Sequence, residues 1–240
     1  MLEIVDDADA LAQTLADTVA AEIGNAIATR GHCALALAGG STPKTAYALL
    51  AATPLREGVD WSKVRFFFGD ERCVGPDDPQ SNYKMAYEAL LGPLRIPAEQ
   101  IFRMRGEDEP ANAARDYAAL LRSQLGAKPV LDLMMLGMGP DGHTASLFPG
   151  SDPLEDDDSL VRAPYVAKFS AYRLTLTPRV INSSRLVAIA AAGSEKAEAL
   201  AAALEGPRDP LRCPVQIVAP VRGRLLWLVD RAAASGLRKT

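Results

Sequence analysis

The sequence contains few of the residues that build metal centres, disulfide frameworks or membrane spans. Its 240 residues include two histidines and three cysteines, and the cysteines are widely spaced, without a C-x-x-C pair. An odd number of scattered cysteines favours neither a disulfide framework nor a zinc site. The longest unbroken apolar stretch, residues 186–192, is far shorter than the roughly 20 residues that cross a bilayer. We therefore expect a soluble protein without a metal cluster.

Positive charge is also scarce. Lysine and arginine total 26 against 30 aspartates and glutamates, which gives a net charge of −4 at pH 7, and no basic stripe follows any segment. Proteins that bind nucleic acids neutralise phosphates with such a stripe, so we expect no nucleic acid partner. The acidic N-terminal residues match neither a signal peptide nor a transit sequence, so we expect a cytoplasmic protein without a membrane partner.

The rest of the composition is that of an ordinary globular protein. Hydrophobic residues make up 48% and charged residues 23% of the chain, which excludes a disordered chain, a collagen-like chain and a coiled coil. No internal repeat and no flexible linker divides the chain, and its length suits one large domain. We predict a single domain over residues 1–240, with the acidic run 155–158 as a solvated loop, and a monomer or weak homo-oligomer.

Hydrophobic runs alternate between two periods along the chain. Apolar residues at helical spacing predict a long helix over residues 7–30 that ends near Gly31, and short apolar runs predict buried strands. The predicted strands are residues 33–38, 64–69, 131–136, 161–167, 172–176, 185–190 and 225–229; the further helices are 43–52 with Thr42 as cap, 81–91 with Ser81 as cap, 110–125, a short helix that stops at Pro149, and 194–204. This alternation predicts an α/β fold, with a mostly parallel sheet flanked by helices and a small appended region.

Three predicted strands end in unusual loops, and ligands bind outside the carboxyl ends of parallel strands. The first loop contains Gly39, Gly40, Ser41 and Thr42 and leads into a predicted helix. Glycines let an anion approach the backbone, hydroxyls and amides donate hydrogen bonds, and the positive end of the helix points to the same place. The pattern predicts a phosphate-binding turn, with an ordinary capped strand-to-helix turn as the alternative. No Walker A motif is present.

The second loop, predicted over residues 70–79, follows three phenylalanines and a glycine. It opens with Asp70, Glu71 and Arg72. Charged residues directly after such an apolar strand suggest that their charged groups serve a function in the crevice. There a planar guanidinium can hold a carbonyl or phosphate oxygen. A local ion pair is the alternative.

The third loop places one of the two histidines in a glycine-rich segment, residues 137–142, at a predicted strand-to-helix turn. His143 stands two residues after Asp141. Imidazole titrates near neutral pH and a neighbouring carboxylate can orient it, so His143 is the candidate general base. His32 lies just before a buried strand, away from polar residues, and is predicted to be structural.

The third loop also satisfies the dinucleotide-binding pattern G-x-G-x-x-G. Asp141 would place a negative charge where a pyrophosphate binds, and the predicted helix is too short to supply a strong dipole. No single acidic residue ends a strand about 20 residues further on, as that site requires. The pattern is therefore weak evidence for NAD.

Taken together, these segments resemble the 6-phosphogluconolactonases, in a superfamily that also contains glucosamine-6-phosphate deaminases. The matching segments are residues 37–44, 69–74, 81–82, 136–150 and 173–177. They occur in the family's order over most of the chain, and the segment around His143 is the most specific. The resemblance implies a Rossmann-like fold, no metal or organic cofactor, and hydrolysis of the sugar phosphate 6-phosphoglucono-1,5-lactone in the oxidative pentose phosphate pathway.

The resemblance also implies roles for individual residues. His143 would be the general base, while Arg72 and Lys168 would surround the substrate. Lys168 stands five residues before Arg173, but the prolines common between them in the family are replaced here by Phe-Ser-Ala-Tyr. We expect the turn at residues 39–42 to bind phosphate with help from Lys168 and Arg173. Arg72 or the amides of residues 137–142 would meet the oxyanion, and Asp70 and Asp141 would orient donors or the base.

Three other functions fit parts of the sequence. The deaminases that the chain resembles have a carboxylate five residues after the histidine, where this chain has Phe148, and they usually have an aromatic residue at the position of Arg72. Both differences favour hydrolysis over deamination. An NAD-dependent dehydrogenase and a sugar-phosphate sensor without activity are the remaining alternatives, and cofactor binding or binding without turnover would identify them.

Overall fold

The computed structural model describes residues 1–151 and 158–238. Its main sheet has six parallel strands in the order β1-β10-β9-β5-β2-β3. These strands are β1 (Leu2–Val5), β2 (Cys33–Leu37), β3 (Val64–Phe68), β5 (Leu133–Gly137), β9 (Leu186–Ala191) and β10 (Arg224–Asp230). The α/β fold with a mostly parallel sheet is confirmed, and β1 is a strand that the sequence pattern did not predict.

A smaller antiparallel sheet is attached at the carboxyl end of β3. In it β8 pairs with β4, with β6 and with β7. The strands are β4 (Asp70–Arg72), β6 (Val161–Arg162), β7 (Tyr165–Val166) and β8 (Ala171–Leu176). Only Gly69 separates β4 from β3, so this appended sheet begins where the main sheet ends.

Helices flank the main sheet. They are α1 (Ala8–Arg30), α2 (Ser41–Leu50), α3 (Leu55–Gly58), α4 (Asn82–Ala86), α5 (Pro110–Leu125), α6 (Pro178–Ile181), α7 (Ala197–Glu205) and α8 (Arg231–Ala234). A π-helical turn, Tyr87–Leu91, continues α4, and single 3-10 turns include Ser194–Lys196 before α7 and Pro214–Ile217 before β10. None of the helices in the described part of the chain is both long and apolar enough to cross a membrane.

The long helix α1 shows how the sequence pattern becomes structure. The Asp7 carboxylate accepts a hydrogen bond from the Ala10 amide at the start of α1, and Gly31 ends it in the left-handed region at φ 81°. Leu15, Val19 and others on its apolar face are buried, and the helix packs against α2 and β10. The apolar face and the glycine at the end are the features from which the helix was predicted, and the Asp7 cap is added by the structure.

The order of the strands creates a crevice at the carboxyl end of the main sheet. From β2 the chain continues to β3 on one side, and later returns to place β5 on the other side of β2. Connections therefore change direction between β2 and β5, which is where open parallel sheets bind ligands. The loops that follow β2 and β5 are the glycine turn and the histidine loop.

Several predicted boundaries are wrong, for physical reasons. Helix α2 begins at Ser41 with Gly40 as its N-cap, so neither the Thr42 cap nor a start at Pro43 is correct. Residues 70–72 are a strand instead of a loop, because β8, about a hundred residues away in sequence, pairs with them. Residues 143–149 form turns and one isolated bridge instead of a short helix.

The appended sheet was also predicted only in outline. The strand expected over residues 161–167 is divided into β6 and β7, followed by a 3-10 turn, Ala167–Phe169. Most of the acidic run 155–158 lies outside the described residues. Its last member, Asp158, is exposed and forms an ion pair with Arg179 at 2.6 Å.

Candidate active site

A cavity of about 270 Å³ opens at the carboxyl end of the main sheet. Its walls come from the segments that follow β2, β3, β5 and β9, and they include Gly39, Gly40, Ser41, Thr42, Asp70, Arg72, Asn82, His143, Glu195 and Lys196. The three loops singled out in the sequence therefore meet at one cavity. Lys168 and Arg173 are not among the described residues that line it.

The turn after β2 places the first residues of α2 at the cavity. Gly40, at φ 106°, precedes the first residue of α2 and provides no side-chain cap. The first turn of a helix has backbone N–H groups without partners inside the helix, so the amides of Ser41 and Thr42 remain available there. Gly39 lies so close to Asn82 that a Cβ would fall 2.1 Å from the Asn82 Oδ1 atom. A larger residue at this position would displace the Asn82 side chain.

Lys196 is a cavity residue that the sequence analysis missed. It ends the 3-10 turn after β9 and its side chain is 20% exposed. Its ion pair with Glu195 is loose, with 4.0 Å between Nζ and the carboxylate, and the Glu195 side chain is 63% exposed. A signal existed, because Gly193 and Ser194 follow a buried strand just as Gly40 and Ser41 do.

The glycine that precedes this turn is held by a buried carboxylate. Asp230, the last residue of β10, is 4% exposed and accepts hydrogen bonds from the Gly193 amide at 3.0 and 3.1 Å. It also accepts from the Ala233 amide at the start of α8. The segment that carries Lys196 is therefore anchored from the neighbouring strand.

His143 is part of a chain of three charged or titratable groups. Its Nδ1 atom makes a hydrogen bond with Asp141, and Lys168 donates to the other Asp141 oxygen at 2.9 Å. Burial alone would raise the pKa of Asp141, but the hydrogen bonds from His143 and Lys168 lower it to about 2. Asp141 therefore stays ionised and can orient the imidazole.

The loop around His143 is tightly packed. A Cβ at Gly139 would fall 2.0 Å from the His143 ring, and Gly142 has φ 76° and lies against Cys213. The ring of Phe148 stacks on the imidazole with 4.3 Å between centroids. These contacts restrict the ring of His143 to one place at the cavity wall.

Asp70 connects the second loop to the third. It accepts hydrogen bonds from Ser146 Oγ at 2.8 Å and from Asn82 Nδ2 at 3.2 Å. Glu71 is buried and points away into α4, where it accepts the amides of Asn82 and Tyr83 at 2.7 and 2.8 Å. Burial raises the pKa of Glu71, while these backbone hydrogen bonds oppose the increase. Of the two carboxylates, only Asp70 lines the cavity among the residues described.

Arg72 and Arg173 are directly paired across β4 and β8. Arg72 lines the cavity and donates to the carbonyl of Gln80. Arg173 is 8% exposed, lies over the ring of Phe169, and its Nε has no hydrogen-bond partner among the described residues. Burial, followed by the charge of Arg72, lowers the pKa of Arg173. Two adjacent cations thus raise the potential beside the cavity.

Comparison with known proteins identifies the family. A family model described as glucosamine-6-phosphate isomerases/6-phosphogluconolactonase matches residues 6–227. The chain belongs to this family. A 6-phosphogluconolactonase from Nostoc sp. is 39% identical over 241 residues, which cover 98% of each chain. The structure of a 6-phosphogluconolactonase from Trypanosoma cruzi aligns with a TM-score of 0.87 at 28% identity, over 99% of this chain and 96% of that one.

The fold of this family does not separate its two activities. A monomeric glucosamine-6-phosphate deaminase aligns with a TM-score of 0.83 at 23% identity, over 98% of this chain and 99% of that one. At this identity the likeness concerns the fold alone. Which of the family's reactions this member performs has to be argued from the residues in its cavity.

Proposed function

We propose that this protein hydrolyses 6-phosphoglucono-1,5-lactone to 6-phosphogluconate in the oxidative pentose phosphate pathway, with His143 as the general base. One observation supports it above the others. The turn of residues 39–42, at the start of a helix, and a carboxylate-bound histidine about a hundred residues further on line the same cavity. The substrate has the matching ends, a phosphate and a lactone carbonyl. The 39% identity to the 6-phosphogluconolactonase from Nostoc sp. supports the same reaction.

In this proposal the phosphate binds at the turn after β2. The amides of Gly40, Ser41 and Thr42, the two hydroxyls and the positive end of α2 would receive it. Lys196, on the cavity wall, takes the role of second cation that the sequence analysis gave to Lys168 and Arg173. Lys168 is bound to Asp141, and Arg173 is buried against Phe169, so both act at the other end of the site.

The reaction would proceed through water. The Asp141 carboxylate accepts a hydrogen bond from the Nδ1–H group of His143, which leaves Nε2 as the basic nitrogen. Nε2 takes a proton from water as the oxygen bonds to C1 of the lactone. The bond between C1 and the ring oxygen of the tetrahedral intermediate then breaks. His143 gives the proton that it took from water to the ring oxygen. General-base catalysis of this kind contributes roughly 10²- to 10⁴-fold.

Arg72 is the better candidate for stabilising the oxyanion. The amides of the third loop are partly committed, since Gly139 donates to the carbonyl of His143 at 2.8 Å and Gly142 donates to the carbonyl of Gly139 at 3.0 Å. Arg72 lines the cavity and is reinforced by the charge of Arg173 beside it. A preorganised cation is most effective on charge that develops in the transition state.

Phe148 argues against deamination of an aminosugar phosphate. It stacks on His143, where the deaminases that the chain resembles have a carboxylate. Opening a sugar ring and moving its protons needs that additional acid or base, whereas lactone hydrolysis needs only one activated water.

The test is an assay of the purified protein with two substrates. We expect rapid opening of 6-phosphogluconolactone, measured against its spontaneous hydrolysis, and no ammonia from glucosamine 6-phosphate. Ammonia release without lactone hydrolysis would replace the proposal with the deaminase reaction. Binding of 6-phosphogluconate without acceleration of either reaction would instead indicate a sensor.

A further inference from the structure

Tyr47 is a fully buried residue of α2 that lies behind the proposed anion-binding turn, residues 39–42. Its hydroxyl accepts a hydrogen bond from the Ala38 amide at 2.9 Å and donates one to the Ala38 carbonyl, also at 2.9 Å. Ala38 is 7% exposed. A single hydroxyl therefore satisfies both backbone groups of the residue that precedes Gly39.

Ala38 stands where β2 leaves the sheet. The last hydrogen bond between β2 and the β3 side joins the Gly69 amide to the Leu37 carbonyl at 3.0 Å. The N–H and carbonyl groups of the next residue, Ala38, bond to the Tyr47 hydroxyl instead of to a neighbouring strand. Because Tyr47 belongs to α2, its hydroxyl closes a ring of residues 38–47 that contains the whole anion-binding turn.

We propose that Tyr47 is a positioning residue for phosphate recognition. By fixing Ala38 against α2, it fixes the direction in which the amides of the turn point into the cavity. Donors that are held in place before the ligand arrives bind it more tightly than donors that must first be ordered. The inference rests on the proposed function, since it takes residues 39–42 as the site of the phosphate.

Tyr117 provides a matched control within the same protein. It is 3% exposed, and its hydroxyl accepts from the Phe68 amide at 2.9 Å and donates to the Phe102 carbonyl at 3.1 Å. Like the Tyr47 hydroxyl, the Tyr117 hydroxyl bonds to the backbone at the end of a strand. That strand is the edge strand β3 instead of β2. Tyr117→Phe and Tyr47→Phe each remove one buried hydroxyl. Only Tyr47→Phe removes a hydrogen bond next to the anion-binding turn.

The experiment compares these two variants with the wild-type protein. Calorimetry measures the Kd of inorganic phosphate and of 6-phosphogluconate, and kinetics give kcat and KM for 6-phosphogluconolactone. For Tyr47→Phe we expect both Kd values and KM to rise roughly tenfold while kcat changes by less than about twofold. For Tyr117→Phe we expect a comparable fall in Tm with unchanged phosphate affinity.

Unchanged phosphate affinity in Tyr47→Phe, or an equal loss in both variants, would overturn the inference and leave Tyr47 a structural residue. Amide exchange in the wild-type protein tests it without any variant. The Ala38 amide should be protected without ligand, and phosphate should add protection at Ser41 and Thr42. Rapid exchange of the Ala38 amide would show that Tyr47 does not hold it, and would contradict the inference.

The proposed function can fail separately. Phosphate binding that depends on Tyr47, in a protein that does not hydrolyse the lactone, would support the inference and refute the activity. A wild-type protein that does not bind phosphate would overturn both the inference and the phosphate end of the proposed site.

Discussion

The two ends of the main sheet use the same chemistry for different purposes. At the amino end, the buried Asp132 accepts from the Ala34 amide at 2.8 Å and forms ion pairs with Arg30 and Arg185 at 2.7 and 3.3 Å. At the carboxyl end, the equally buried Asp230 accepts only backbone amides among the residues described, and the nearby cation Lys196 keeps a loose ion pair. The buried aspartate at the amino end neutralises two arginines, whereas the one at the carboxyl end leaves Lys196 available to a ligand.

The histidines give the sharpest test of this difference, since each end has one. We expect His143→Ala to lower kcat roughly 10²- to 10⁴-fold, because it removes the base. His32 is near the amino end, with its Nδ1 atom 3.2 Å from the Arg30 carbonyl oxygen. His32→Ala should therefore keep wild-type kinetics. Steady-state rates and circular dichroism of both variants check this, and near wild-type turnover in His143→Ala would refute the base assignment.

Removing the charge of Asp141 should have the next largest effect. We expect Asp141→Asn to lower kcat roughly 10- to 100-fold, because a neutral amide holds the imidazolium less well. The native pKa of about 2 lies below that of an unfolded aspartate. The carboxylate therefore stabilises the fold above about pH 4, and this contribution is lost as pH falls toward 2.

Thermal melts of wild type and Asp141→Asn over that pH range measure the contribution. The difference in Tm should be constant near neutral pH and should shrink below about pH 4. A difference that persists unchanged at pH 2 would mean that Asp141 does not titrate as its contacts require.

The convergence of the loops could be predicted from the sequence, because parallel strands end at one edge whatever their order. Buried strands, capped helices and glycine turns are local features, and these predictions were mostly correct. Lys196 was missed because no local pattern shows that β9 lies beside β5. The strand at residues 70–72 was missed because its partner, β8, is distant in sequence, and three charged residues do not resemble a strand.

The prediction of a short helix after His143 was wrong for a related reason. Ser146 is held by Asp70 and by Thr175, which come from opposite parts of the chain. These contacts keep residues 143–149 in turns although their composition suits a short helix. Tertiary hydrogen bonds thus override local propensity where the site is assembled.

Lys196 tests whether the available cation recognises the phosphate. We expect Lys196→Met to raise KM for the phosphorylated lactone roughly tenfold with little change in kcat, because the charge binds substrate and transition state alike. We expect kcat/KM of the wild type to fall with salt, and Lys196→Met should flatten that fall. Lys63, exposed just before β3 at the amino end, is the control. If Lys63→Met gives the same salt response, the attraction belongs to the whole surface.

The two buried aspartates give the smallest and most direct comparison. In Asp230→Asn an NH2 group replaces one of the two oxygens that accept from the Gly193 N–H, and NH2 cannot accept a hydrogen bond. The segment with Lys196 should therefore loosen. We expect KM to rise about threefold with kcat retained. Asp132→Asn removes an acceptor in the same way at the amino end, so it should lower the free energy of unfolding by about 1–3 kcal/mol without changing KM. Steady-state kinetics give KM, and denaturant melts give the free energy of unfolding, for both variants. If Asp132→Asn raises KM as much as Asp230→Asn does, general loosening of the sheet explains the effect, and the two ends are not functionally distinct.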